Sequence, residues 1–253
     1  MKQNTLVSEQ FGHVAEAYLT SSVHAAGADL QRLARLGGEY CGRAALDLGC
    51  GAGHASFALA QGGARVTAYD LSVEMLALVA AEATRRELPN ITTRQGSVDQ
   101  LPFADASFDL VATRFSAHHW RDVKAGIAEM RRVLKPAGRL VVIDVVAAEN
   151  ALFDTVLQTV EILRDASHVR DYRLSEWIAL LQATGFAVGD NDRWRLPMVF
   201  DTWVARMRTP ELRIAAIRDV FAQASDEVQQ YFRLQVDGTF DIDVAWIEAT
   251  VKA

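Results

Sequence analysis

The stretch Ala45-Leu46-Asp47-Leu48-Gly49-Cys50-Gly51-Ala52-Gly53 sets three glycines at alternate positions directly after an apolar run. A second apolar run follows and ends at Asp70. Where no Cβ stands in the way, backbone amides can press against a ligand, and a glycine loop between a strand and a helix suits a nucleotide-type cofactor. The chain between Gly53 and Asp70 has room for one helix and one returning strand, so a β-α-β unit with parallel strands is expected.

The glycine spacing narrows the ligand. A dinucleotide loop reads Gly-x-Gly-x-x-Gly, its third glycine letting the helix close on a pyrophosphate. Counted from Gly49 and Gly51 that position is His54, and the third glycine falls one residue early, at Gly53. The loop also opens with an acid, Asp47, which would repel phosphates and suits a ligand bearing an ammonium or sulfonium charge.

Asp47-x-Gly49-x-Gly51-x-Gly53 resembles motif I of the class I S-adenosylmethionine-dependent methyltransferases, and Asp70 stands where that family keeps the acid that holds the ribose hydroxyls. Two hydroxyls donating to one carboxylate make charge-assisted bonds worth roughly 1.5–3 kcal/mol each. The stretch from Gly96 to Phe103, with Ser107-Phe108-Asp109, is similar to the adenine border in the branch of the ubiquinone and menaquinone biosynthesis C-methyltransferases. That branch has an acid where Ser97 stands; a hydroxyl can still accept from the adenine amino group, and the Val98 amide can serve the ring nitrogen. The resemblance covers Ala44 to about Val146. Segments 114–120, 167–172 and 203–210 look like the bacterial YafE-like group near that branch.

The resemblance implies a doubly wound, seven-stranded, mostly parallel sheet of Rossmann-like form, its seventh strand antiparallel and inserted beside the fifth. It implies S-adenosyl-L-methionine as methyl donor and S-adenosyl-L-homocysteine as product. The cofactor residues it implies are Asp47, Gly49, Cys50, Gly51, Gly53, Asp70, Leu71, Met75, Ser97, Val98, Arg114 and Tyr18. Phe11-x-x-x-Ala15-x-x-Tyr18 resembles the family's opening, whose aromatic rings could cover the sulfonium at a gain of roughly 0.5–2 kcal/mol, or simply pack.

Composition supports one soluble catalytic domain over 1–253, since 253 residues with 50% hydrophobic and 23% charged side chains supply an ample core. A net charge of −6 speaks against a polyanionic nucleic-acid partner. Cys41 and Cys50 are too few for a disulfide framework or a zinc site, so a cytoplasmic setting is expected. MKQNTLVSEQFGHV lacks an apolar leader, and Leu140 to Ala148 is interrupted by Asp144 and too short to span a bilayer; no integral membrane association is expected.

Along the chain, strands are expected at Ala44 to Leu48, Ala64 to Tyr69, Ile91 to Gln95, Phe108 to Thr113 and Arg139 to Val146, with a strand from Phe186 and a last one from Ala245 to Lys252. Between them, helices are expected at His54 to Ala60, at Val73 to Glu87 capped by Ser72, and at Asp122 to Leu134 before a turn at Lys135 to Gly138. A further helix from Ser175 to Thr184 is expected to be capped by Ser175. Residues 1–40 are expected as an N-terminal helical lid, 41–147 as the cofactor core, and 148–253 as helical insertions and last strands forming an acceptor pocket.

Thr113 to Trp120 follows the fourth strand and in this fold faces the transferring methyl group. It lacks the Asn/Asp-Pro-Pro-Tyr/Phe motif that holds an sp² nitrogen, which disfavours amide or adenine N-methylation. His118 and His119 can supply a base near neutral pH, His119 being the preferred candidate; alternatively one is buried and hydrogen-bonded while the other is solvated. His54 is expected to pack as a neutral ring, Cys50 to fill a tight loop, and Asp99, Asp105 and Asp109 to serve the fold. Trp177, Trp194 and Trp203 are expected in the core or a pocket wall. Asp144 lacks a recognisable partner acid for metal-assisted chemistry, so no metal is expected.

The function expected is methyl transfer from S-adenosylmethionine to a small-molecule acceptor, with quinols, phenols and carbon acids favoured. The alternatives are another adenosylmethionine-using enzyme on this fold, or a non-catalytic sensor or scaffold that binds the same cofactor. Nothing in the residue pattern bears on oligomeric state.

Overall fold

The computed structural model describes residues 2–12, 19 and 27–252. Its strands are β1 Ala44–Leu48, β2 Arg65–Asp70, β3 Ile91–Gln95, β4 Phe108–Arg114, β5 Leu134–Val145, β6 Phe186–Met198 and β7 Phe240–Val251, joined in the order β3-β2-β1-β4-β5-β7-β6. Pairings among β1 to β5 are parallel, and β7 runs antiparallel to both β5 and β6. The expected sheet, with its inverted strand beside the fifth, is the one formed. Strand order reverses between β1 and β4, which opens a crevice beyond their carboxyl ends.

Successive residues on each strand feed opposite faces. Ala45, Leu110, Val141 and Trp246 pack with Leu33 and Leu36 of α2 (Ala28–Glu39) and Leu59 of α3 (His54–Gln61). Leu46, Val111, Val142 and Ile247 pack on the other face with Ile127 and Met130 of α5 (Val123–Val133) and with Trp177 and Leu181 of α7 (Leu174–Ala183). A third cluster lies beyond the ends of β5, β6 and β7. It joins Leu157 and Val160 of α6 (Ala151–Arg164), Trp203 of α8 (Phe200–Arg206), Ile217 and Phe221 of α9 (Glu211–Ala222), and Phe232 of α10 (Asp226–Phe232) to Phe240 and Ile242. Each such large side chain contributes roughly 1.5–3 kcal/mol by leaving water, so the helical additions carry a core of their own.

Local chemistry explains the element ends. Ser72 Oγ accepts from the Met75 amide at 3.1 Å and starts α4 (Val73–Arg85), while Asp122 accepts from the Ala125 amide at 3.0 Å and starts α5. Three expectations need correction. Lys135 to Gly138 form no separate turn: Leu134 already pairs with Phe108, and the ladder slips before Leu110 meets Arg139, with Ala137 at φ 58° in the bulge. β7 begins at Phe240 rather than Ala245, because Phe240 to Val244 pair with Met198 to Trp194 of β6. Ser175 does not cap α7; Glu176 reaches back to the Arg173 amide at 2.9 Å, and Ser175 Oγ donates to Glu149 at 2.7 Å.

Among the described residues of 1–40, α1 (Gln3–Gly12) borders the crevice. Asn4 Nδ2 donates to Ser97 Oγ at 3.0 Å, Gln3 Nε2 to the Ser167 carbonyl at 2.7 Å and Gln10 Nε2 to the Met207 carbonyl at 3.0 Å. α2 is a core helix packed on α3.

Candidate active site

The glycine loop leaves β1 and turns beneath the end of β2. The amides of Gly49 and Cys50 both donate to the Tyr69 carbonyl, at 2.8 and 3.0 Å. The Gly51 amide donates to Asp70 Oδ2 at 2.8 Å, and the Ser72 amide to Asp70 Oδ1 at 2.9 Å. Each carboxylate oxygen retains a free lone pair for a further donor. Burial raises the Asp70 pKa, and the donating amides oppose that rise. Gly49, Gly51, Asp70, Leu71, Met75, Ser97, Val98 and Asp99 line one cleft.

Asp47 lines a lobe that adjoins this cleft and shares Gly49, Gly51 and Met75 with it, and it is fully buried. Its Oδ2 accepts from Ser56 Oγ at 2.6 Å, whereas Oδ1 has no hydrogen-bond partner among the described residues. Burial pushes its carboxyl up to about 6, the Ser56 hydrogen bonds working against that. A buried oxygen without a donor is costly unless a ligand supplies one. Arg114 lines the same lobe and is itself tied to Asp29 of α2, Nε to Oδ2 at 2.6 Å. An acid and a guanidinium thus flank one pocket of about 450 Å³. Cys50 is buried there with Asp70 and Asp47 nearby, and burial and those charges push its thiol up, so it offers no thiolate. His54 is buried edge-on to Phe57 and lines this lobe, while Asp109 accepts from the Ala44 amide at 3.1 Å and Lys135 at 2.7 Å.

β4 ends in a 3-10 turn, Ala117–His119, that carries the two histidines. Their rings lie 4.2 Å apart, yet their environments differ. His118 Nδ1 meets Asp144 Oδ1 at 2.6 Å, and Asp144 Oδ2 accepts from the Ala117 amide at 2.9 Å. Burial opposes charge on His118, but the charge and hydrogen bond of Asp144 overcome it and raise the ring to about 9. His119 Nδ1 faces the Ser167 carbonyl at 3.2 Å, and its Nε2 is 3.9 Å from Asp165. Burial and the neighbouring His118 charge lower it to about 4. The loop from Asp165 to Arg173 wraps this turn, the Val169 and Arg170 amides both donating to the His118 carbonyl, at 2.8 and 3.1 Å.

A second cavity of about 530 Å³ opens beside the cleft. Its walls are His118, Asp171, Glu161, Arg164 and Arg206 together with Val145, Leu196, Met198, Trp203 and Ile242. Phe11, Phe115 and His119 line both spaces. Phe11 presents its ring edge-on to His119 at 4.8 Å between centroids. The residues that the sequence offered as cofactor contacts therefore converge on one cleft and the lobe adjoining it, apart from Gly53, which is the left-handed residue before α3, and Tyr18, which falls outside the described residues. Trp203 lines the cavity, while Trp177 is buried beneath α7 and does not. Sequence reasoning missed Asp144 as the partner of His118, and missed Asp171 and Glu161. Asp144 was visible as an acid interrupting an apolar strand with no recognisable partner, Asp171 only as part of the segment 167–172, and Glu161 left no signal.

A family model described as a methyltransferase domain matches residues 46–142, the segment that builds the cleft. The Escherichia coli protein YafE is 50% identical over 78% of this chain and 95% of its own length. The Bacillus subtilis methyltransferase YcgJ is 35% identical over 88% of both chains. The chain belongs to the class I S-adenosylmethionine-dependent methyltransferases. The crystal structure of YcgJ superimposes on this methyltransferase with a TM-score of 0.81, covering 88% of it and 99% of YcgJ. A demethylmenaquinone methyltransferase of Chlorobaculum parvum is 39% identical over 42% of each chain. Among its described residues no helix is long and apolar enough to cross a membrane.

Proposed function

We propose that the cleft binds S-adenosylmethionine and that the cavity beside it holds a small-molecule acceptor with an ionisable hydroxyl or an acidic carbon. The observation that carries this reading is the shared wall: Phe11, Phe115 and His119 border both spaces, so two ligands would meet there. Relatives named demethylmenaquinone methyltransferase make quinols and phenols the first acceptors to test.

The cleft suits this cofactor along its whole length. Asp70 has lone pairs left for two ribose hydroxyls, and Ser97 and Val98 border the adenine. Leu71 and Met75 supply apolar flanks. The unpartnered Asp47 oxygen suits an ammonium and Arg114 a carboxylate, the two charges of an amino-acid end. When bound, S-adenosylmethionine supplies an electrophilic methyl carbon on a sulfur that leaves with its bonding pair. The protein's part is to orient the acceptor and exclude water, and orientation alone can contribute up to roughly 7–11 kcal/mol.

An acceptor that must first lose a proton needs a base, and we assign that role to His118 rather than His119. Asp144 holds Nδ1–H of His118 and makes Nε2 the basic nitrogen. His119 is too weak a base and has Nδ1 committed to Ser167; it separates the two ligands. Because His118 titrates at about 9, kcat/KM rises with pH by about tenfold per unit below that value.

Isothermal titration with S-adenosylmethionine, S-adenosylhomocysteine and NAD tests the cofactor. Heat is expected with both sulfur compounds and is weakened by orders of magnitude in Asp70→Ala; a protein that responds to neither sinks the reading. A screen of quinols and phenols, read as homocysteine from the product, tests the acceptor class.

A further inference from the structure

Asp171 sits in the wall of the acceptor cavity on the loop that wraps the histidine turn, and its side chain is 1% exposed. Its Oδ2 is buried with no hydrogen-bond partner among the described residues. The nearest basic atom is His168 Nε2 at 3.8 Å, and the tautomer of that ring can be assigned. Gln158 Nε2 donates to Asp154 Oδ1 and to the Asp171 carbonyl, at 3.0 and 2.8 Å, so Gln158 Oε1 is an acceptor. It receives the Asp171 amide and His168 Nε2, both at 3.1 Å. Nε2 therefore carries a proton already committed to Gln158, and burial with the nearby His118 charge lowers His168 to about 2. The pair is not an ion pair.

The other charges around Asp171 do not supply a counterion either. Asp144 on β5 and Glu161 and Asp154 on α6 oppose its ionisation, while His118, which favours it, is hydrogen-bonded to Asp144. Burial pushes the Asp171 carboxyl well above the usual range, in agreement with the geometry. What the cavity then offers is a buried O–H donor, with the His118 ring on the same wall and the walls shared between apolar side chains such as Met198 and Ile242 and the charged Glu161, Arg164 and Arg206.

We propose that Asp171 holds the methyl acceptor, its carboxyl O–H donating to a hydroxyl or carbonyl oxygen next to the atom that is methylated. The assignment rests on the reading of this cavity as the acceptor site. It narrows the acceptor to a small aromatic or enolic oxygen compound: His118 takes its proton, and Asp171 stabilises the charge left on the oxygen, as a neutral buried acid can in a water-poor site.

The test uses 2-naphthol as probe, titrated into the complex with S-adenosylhomocysteine. Asp171→Asn keeps a donor and binds within about threefold of the wild type, whereas Asp171→Leu loses about tenfold or more. Equal loss in both variants would mean a carboxylate role, and no loss in either a purely structural one; both overturn the proposal. Infrared difference spectra of wild type minus Asp171→Asn at pH 7 are expected to show a protonated carboxyl band that shifts when 2-naphthol binds. A carboxylate band, or a band indifferent to bound probe, overturns it too. Wild type that binds S-adenosylhomocysteine but not 2-naphthol refutes the acceptor class alone, while failure to bind either refutes the cofactor reading beneath it.

Discussion

In the proposed cofactor cleft, much of the lining comes from two short segments, 47–53 and 70–75, and from the turn at Ser97 and Val98, with Phe11, Arg114, Phe115 and His119 completing it. The proposed acceptor cavity collects His118, Asp171, Met198, Trp203 and Ile242 from five segments spread between residues 118 and 242. Backbone does most of the work in the cleft: Gly49, Cys50 and Gly51 fix the loop through their amides, so the residue types are dictated at fixed spacing. The cavity is made of side chains on separate helices and strands. Its lining can vary while the glycine loop stays as it is, which is how one scaffold serves many substrates.

The largest effect should come from breaking the backbone side of this contrast. Gly49 has φ 71°, and a Cβ there would lie 1.9 Å from Ser116 Oγ, which also accepts from Trp120 Nε1. Gly49→Ala should therefore lower Tm and reduce S-adenosylhomocysteine affinity by two or more orders of magnitude in calorimetry. Gly51 has φ 49° but nothing within 4 Å of a Cβ. Gly51→Ala should cost only about 1–2 kcal/mol of backbone strain, a Tm shift of a few degrees, while still weakening the cofactor whose space the methyl enters. Equal Tm losses in the two variants would show that the loop serves the fold more than the ligand.

On the cavity side the largest change expected is in the rate. His118→Gln should reduce kcat/KM by about 10² to 10⁴ and flatten the rising pH limb, with S-adenosylhomocysteine affinity unchanged. An unaltered pH profile with an accepted phenol would remove His118 from the base role. Asp144→Asn should act less severely and in a direction that can be worked out. Burial pulls the His118 pKa down and Asp144 pulls it up to about 9, so without the carboxylate charge the rising limb moves to lower pH. A limb that stays near 9 would mean that another group titrates.

The same contrast explains what could be read from the sequence. Asp47, the three glycines, Asp70, Ser72 as a helix cap and the inverted last strand were legible because each answers to a local rule or a recognisable motif. Asp144 was not, although the sequence drew attention to it, because its partner is twenty-six positions upstream on a different element. His119 looked as good as His118 in the sequence. Their difference lies in what each Nδ1 meets across the chain, a carboxylate in one case and the Ser167 carbonyl in the other. Trp177 and Trp203 were equally ambiguous, since either tryptophan could be core or wall until the helices were placed.

The smallest effect falls on the boundary between the two regions. Phe11 lines the cleft, the adjoining lobe and the cavity, and touches His119 edge-on. If the ring faces the sulfonium, its attraction belongs to the positively charged substrate and not to the neutral thioether product. Phe11→Leu keeps an apolar side chain on α1 but removes the π face, so S-adenosylmethionine should weaken by about 2- to 30-fold, corresponding to roughly 0.5–2 kcal/mol, with S-adenosylhomocysteine nearly unchanged. Parallel weakening of both would reduce Phe11 to packing against His119, an interaction worth roughly 0.5–1.5 kcal/mol that does not distinguish the two ligands. The ratio of the two affinities, rather than either alone, therefore decides whether the shared wall belongs to the chemistry of the cleft or only to its closure.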